Sequence, residues 1–235
     1  MHTYRELKRL EAEGVVPQGA TRRAILGDIF LAIIFITSIA LFLFAVRPAQ
    51  AGEVPSSAQR YHRDLIRAAH AGWGLDAPIA TFAAQVHQES RWNPNAISPA
   101  GAEGLAQFMP ATSDWFAQMH PSRLGERQPY NPGWALRAMV LYNAWLFERV
   151  HANSPCDKWA MVLSAYNGGL GWVIRDKQLA SAMGADELAW FDQVERFNAG
   201  RRADAFDENR QYPRLILFRW EPIYVRAAWG AGVCT

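Results

Sequence analysis

The stretch VHQESRWNPNAISPAGAEGLAQFMP, Val86 to Pro110, places Glu89 at the end of an apolar helix face, ahead of a Gly-rich loop and a short alternating segment. Just upstream, Ile79, Phe82, Ala83 and Val86 recur at the three-to-four spacing of a buried helical stripe. Continued past Val86, that stripe lands on Glu89, so a carboxyl group is aimed inward where a core residue belongs. Pro94 disfavours helical geometry at Asn93, which predicts that the helix stops just after Glu89. Apolar surroundings and the negative end of a helix dipole both disfavour the ionised carboxylate. A glutamate held this way stays protonated near neutral pH, as a general acid must. On position alone the plainer reading is a solvated Glu near a helix terminus, paired with Arg91. The motifs further along the chain decide between the two.

The 235 residues suffice for one domain of ordinary size with additional segments. Apolar residues make up 50%, and the ten Trp all fall beyond residue 70, where a sizeable core can form. One segment is not globular in character. Ile29 to Val46 (IFLAIIFITSIALFLFAV) is 18 residues without a charge, the length of a membrane-spanning helix and longer than a signal-peptide core. Arg5, Lys8, Arg9, Arg22 and Arg23 precede it and only Arg47 follows closely, which predicts a cytoplasmic N-terminus with the remainder exported. Ala49-Gln50-Ala51 offers the alternative of signal-peptide cleavage and release after Ala51. The net charge is +2, and beyond residue 51 the chain carries eighteen basic and eighteen acidic residues without a basic block, so nucleic acid is not an expected partner. Cys156 and Cys234 both lie in the exported part, where they are a candidate disulfide or two free thiols.

Four regions follow: a charged cytoplasmic segment over 1–23, a transmembrane helix over 24–47, a Pro/Ser/Ala linker over 48–58, and the exported domain over 59–235. Helices are predicted near 59–72, 77–92, 110–118, 132–151, 156–167 and 212–228, with an irregular amphipathic region at 173–207. Leu105 to Met109 reads as a strand, with Leu105, Gln107 and Met109 on one face and Ala106 and Phe108 on the other. That suggests a small β wing forming one wall of a groove beside a helical body.

Four separated segments then form a pattern: QESRWNPNAIS (88–98), GAEGLAQFMPAT (101–112), SAYNGG (164–169) and ENRQYPRLI (208–216). Together, over roughly residues 59–228, they resemble the soluble-type catalytic domain of the lysozyme-like lytic transglycosylases. The fold this implies is mainly α, an α+β lysozyme-like domain with a small β wing, here preceded by one transmembrane helix. By the same resemblance, Glu89 is the single catalytic acid and Ser98 lies beside the sugar N-acetyl group. Gln107 and Met109 would line the cleft, Tyr166 and Asn167 belong to the A-Y-N motif, and Tyr212 brings a hydroxyl close to Glu89. Each has a plainer reading: Ser98 and Gln107 as loop ties, Met109 and Tyr166 as core. Gly168-Gly169 can end a helix in a left-handed cap and allow close approach of a ligand. Pro213, directly after Tyr212, is expected in the first turn of a helix. Of the ten Trp, Trp92 is the one expected to stack on sugar.

What the resemblance implies chemically is cleavage of the β-1,4 bond between N-acetylmuramic acid and N-acetylglucosamine in peptidoglycan. Glu89 protonates the bridging oxygen, then as carboxylate takes the proton of the C6 hydroxyl, whose attack closes a 1,6-anhydro ring. One alternative is a goose-type muramidase on the same fold, a hydrolase using water positioned by Glu103 or Asp114. Another is a catalytically silent, membrane-anchored wall-binding or assembly protein. The six His are scattered and no metal or nucleotide motif occurs, so no metal or cofactor is expected. The expected setting is a single-pass inner-membrane protein with a periplasmic catalytic domain. Its partners would be glycan strands, the membrane, and secretion, conjugation or phage machinery.

Overall fold

In the computed structural model, which describes residues 53–234 together with Arg9 and Glu13, the helices begin where proline and short polar residues punctuate the chain. Helix α1 spans Ser56–Gly72, ahead of the sequence boundary at 59, and Ala58 is already in the core. Then come α2 (Ile79–Ser90), α3 (Pro110–Met119), α4 (Pro121–Leu124), α5 (Pro132–Phe147) and α6 (Pro155–Gly168). Proline opens α3, α5 and α6 because the first turn needs no N–H donor. Asn131 and Ser154 cap α5 and α6, accepting from the N–H groups of Trp134 and Asp157, both at 3.0 Å.

The region at 173–207 is more regular than its sequence suggests. Helix α7 runs Leu170–Ala182, a loop with one 3-10 turn at Val194–Arg196 follows, and α8 covers Ala203–Arg214. The chain continues through a π-helical stretch, Leu215–Trp220, into α9, Glu221–Arg226. Pro213 is therefore not in a first turn as expected but near the end of α8. It cannot donate to the carbonyl four residues back, and the helix widens immediately after it.

Helix α2 is the axis of the domain. Every residue from Ile79 to His87 is buried, which marks a helix covered on all sides. It packs on α1, α9 and the π stretch, while α5 and α8 pack on α6. Thus α2, α5, α6 and α8, distant in sequence, converge around the last turn of α2. Cys156 near the start of α6 is bonded to Cys234, with the Cα atoms 4.7 Å apart.

The expected β wing is absent as a strand. Among the described residues there are only isolated bridges, Ile97 with Glu103 and Glu103 with Phe108. Leu105 and Ala106 are both fully buried, and Gln107 has φ of 47°, so the segment is a turn rather than a pleat. The transmembrane reading of 24–47 lies outside the described residues, as does the segment 1–23 apart from Arg9 and Glu13. Among those described, no helix is long and apolar enough to cross a membrane.

Candidate active site

Helix α2 ends where Pro94 predicts. Arg91 caps it in the left-handed conformation at φ of 50°, with its N–H bonded to the His87 carbonyl at 3.1 Å. The cap turns the Arg91 side chain out to solvent and leaves Glu89 on the inner face. The hydrogen-bond partner of Glu89 is not Arg91 but Tyr212 of α8, whose hydroxyl donates to Glu89 Oε1.

The loop after α2 folds back as a hairpin-like wall. Ser98 N–H donates to the Ala102 carbonyl at 2.9 Å, and Glu103 N–H reaches the Phe108 carbonyl at 3.0 Å. Gly104 lets this wall dock. Its φ is 71°, and a Cβ there would stand 1.9 Å from the Pro129 carbonyl oxygen. Opposite, α6 ends at Gly168, whose missing side chain makes room not for a ligand but for the Asn209 amide of α8. Gly169 then turns the chain at φ of 96° with open space around it.

Between these walls lies a cleft of about 550 Å³, and all seven sequence-selected residues line it: Glu89, Ser98, Gln107, Met109, Tyr166, Asn167 and Tyr212. Ser98 Oγ accepts the Ala102 N–H at 2.9 Å and retains its own proton for donation. Gln107 turns its amide nitrogen to the carbonyls of Ala96 (3.1 Å) and Gly104 (2.9 Å), which ties the loop and leaves only Oε1 for a ligand. Met109 is 44% exposed at the rim, an apolar contact surface rather than core. The Tyr166 hydroxyl donates to the Ala106 carbonyl at 2.8 Å, joining α6 to the loop wall. Asn167 accepts from Asn209 at 2.9 Å and points its own amide toward Glu208 at 3.4 Å.

Electrostatically the cleft favours one neutral carboxyl. Burial raises the pKa of Glu89 to about 8, with the Tyr212 hydrogen bond opposing the rise and the Glu208 charge adding to it. Burial, with the neighbouring Glu89 second, likewise pushes the hydroxyls of Tyr166 and Tyr212 well above the ordinary tyrosine value, so both stay protonated. Glu103 and Asp114, the carboxylates considered for water activation, do not line the cleft. Both pair with Arg127, Asp114 at 3.3 Å. Trp92 is also displaced from its expected role: it is 1% exposed and donates its indole N–H to Tyr224 at 2.7 Å on the far side of α2.

Two groups that line the cleft and one buried beneath it escaped the sequence reading. Glu208 lies one turn before Tyr212 on the same face of α8, and the first letter of ENRQY was its only signal. Tyr142 of α5 lines the cleft beside Tyr166, with ring centroids 5.3 Å apart. Beneath Tyr212, Gln85 of α2 donates to its hydroxyl at 3.4 Å, and nothing in sequence marks an amide on that stripe as anything but an interruption. No group of three or more His, Cys, Asp or Glu that could hold a metal ion occurs among the described residues.

Residues 64–189 match the family model described as Transglycosylase SLT domain. The chain is 31% identical over 136 residues to the membrane-bound lytic murein transglycosylase F of Pasteurella multocida, an alignment covering 57% of this chain and 23% of that protein. With the protein of the same name from Maricaulis maris, identity is 32% over 116 residues, covering 48% and 24%. The chain thus spans about a quarter of the length of these curated relatives. Among solved structures it resembles the 70 kDa soluble lytic transglycosylase of Escherichia coli, at 24% identity and a TM-score of 0.50 over 72% of this chain and 25% of that one. A complex of the 70 kDa soluble lytic transglycosylase with bulgecin A aligns at 25% identity and a TM-score of 0.51, over 74% and 26%.

Proposed function

The chain belongs to the Transglycosylase SLT domain family, and from that premise we propose that it is a peptidoglycan lytic transglycosylase. It cleaves the β-1,4 bond between N-acetylmuramic acid and N-acetylglucosamine and leaves a 1,6-anhydro end. The observation that carries this reading is Glu89, the carboxyl group whose pKa is raised to about 8 in a cleft wide enough for sugar units. Protonated at neutral pH, it gives its proton to the bridging oxygen as the bond breaks. The muramic N-acetyl oxygen stabilises the developing cation, with Ser98 beside it. Glu89, now a carboxylate hydrogen-bonded by Tyr212, takes the proton of the C6 hydroxyl as that oxygen attacks the anomeric carbon. Attack from within the same sugar needs no water and has a proximity advantage. Gln107, Met109, Tyr166 and Asn167 bind the strand.

Glu103 and Asp114 are held by Arg127 away from the cleft, which disfavours a hydrolytic role for either. Glu208 is the other carboxylate lining the cleft and the one available for a hydrolase. Mass spectrometry of peptidoglycan digested by the purified protein distinguishes the outcomes. Anhydro ends are expected; reducing ends heavier by one water would make the enzyme a muramidase. No release by wild type would leave a wall-binding role. We also propose that residues 24–47 anchor the chain in the inner membrane with the domain on the periplasmic side. The membrane-bound relatives and the apolar run of Ile29 to Val46 support this placement.

A further inference from the structure

We infer that Gln85 and Asn143 are positioning residues for Glu89: a buried relay from the Met139 carbonyl fixes the direction in which the Tyr212 hydroxyl points its proton. This rests on Glu89 being the acid of the reaction proposed above. The direction can be followed group by group from an atom whose role is fixed. The Met139 carbonyl oxygen can only accept, so the Asn143 atom 2.9 Å from it is the amide nitrogen. That same nitrogen donates to Gln85 at 2.7 Å, which makes the receiving atom Oε1. The other end of Gln85 is then an NH₂ group, and it faces Tyr212 at 3.4 Å. An NH₂ group only donates, so the Tyr212 oxygen must accept, and its single proton goes to Glu89 Oε1. Oε1 is thereby an acceptor, and the acid proton is carried on Oε2.

The setting gives the relay its force. Gln85 and Asn143 are both 0% exposed, and Tyr212 is buried, so water does not reorient the chain of donors. Two amides inside an apolar body are costly unless bonded, and Asn143 Oδ1 has no hydrogen-bond partner among the described residues. An apolar pair would suit stability better there, whereas direction needs amides. Were the Gln85 amide reversed, Tyr212 would donate to it, and the Glu89 proton would be drawn to the Tyr212 oxygen and away from the glycosidic bond.

The groups facing Glu89 are Tyr212 and Glu208 from α8 and Tyr166 from α6, and all remain in the variants that test the relay. In Gln85→Leu, we expect kcat to fall about tenfold with KM changed by less than about twofold, because orientation rather than binding is lost. Donation by Gln85 polarises the Tyr212 hydroxyl and strengthens its bond to the Glu89 carboxylate. Without it the Glu89 pKa rises, and the alkaline limb of kcat/KM moves to higher pH. Asn143→Leu moves the limb the same way, and adds nothing in the Gln85→Leu background because it acts through Gln85. The double variant exchanges a polar pair for an apolar pair of similar size, so it folds even where a single one does not. The Glu89 titration followed by carboxyl ¹³C NMR reads the same shift without turnover. An inactive wild type would thus remove the proposed reaction and leave the relay measurable. An unmoved Glu89 titration in Gln85→Leu and in the double variant, or shifts that simply add, would overturn the relay.

Discussion

Glu89 keeps its proton in the folded protein up to about pH 8, whereas an unfolded chain releases it near 4.5. Folding therefore takes up a proton between those values. The stability Glu89 contributes is complete below pH 4.5 and is lost as pH rises towards 8, at no more than about 1.4 kcal/mol per pH unit. Glu89→Gln does not titrate. It should abolish cleavage, yet melt higher than wild type at pH 7, with the gap closing near pH 4. A lower melting temperature at neutral pH would mean that the carboxyl group is structural. Glu208 tests the same electrostatics from the other side. Removing its charge in Glu208→Gln should lower the Glu89 pKa by less than about one unit, moving the alkaline limb of the activity profile to lower pH. At this scale the sequence was informative wherever a residue sits in a dense local motif. Glu89, Ser98, Gln107, Met109, Tyr166, Asn167 and Tyr212 meet in one cleft. Gln85, Asn143 and Glu208 were not legible, because what matters about them is which partner they meet across helices, and period alone does not encode that.

Alternation misled the reading of Leu105 to Met109, because five residues can fit a two-residue period by chance while the backbone turns. The positive φ of Gln107 and full burial of both Leu105 and Ala106 show a tight turn that faces the core twice. What marks this wall is instead Gly104, and it makes a sharp prediction. Gly104→Ala would drive a methyl group into the Pro129 carbonyl from a left-handed backbone position, so the loop must move. Urea denaturation should show a loss of about 2–3 kcal/mol, with activity falling because Ser98 and Gln107 move with the loop. A variant of native stability and activity would refute the docking role. The stretch from Leu170 to Arg214 failed for a different reason. Helix α7 begins at Gly169 without a side-chain cap, and α8 holds a proline near its end, so the usual start and stop signals are weak. Burial of Val173, Asp176 and Ala180, and packing on α6, supply what local propensity does not.

At the scale of the chain, two ties govern where the cleft can operate. The Cys156–Cys234 bond closes a loop of 78 residues onto α6, and by loop entropy its removal costs about 4 kcal/mol. Cys156→Ser should lower the denaturation midpoint, and a reductant should do the same to wild type but not to the variant. The second tie is the proposed anchor. If Ile29 to Val46 stays uncleaved, the domain hangs from the membrane by the residues that precede α1, 48–55. A flexible segment of that length has a root-mean-square reach of roughly 15 Å and about 28 Å at full extension. The cleft could then attack only glycan lying close to the outer face of the membrane, which confines an activity that would be lytic if free. Full-length protein should therefore sediment with membranes and resist extraction by high salt or carbonate. A chain lacking residues 1–51 should stay soluble and, once purified, cut isolated peptidoglycan equally well. A natural N-terminus at Gly52 in the soluble fraction would defeat the anchor and leave the chemistry of Glu89 as argued, since nothing in the cleft depends on the tether.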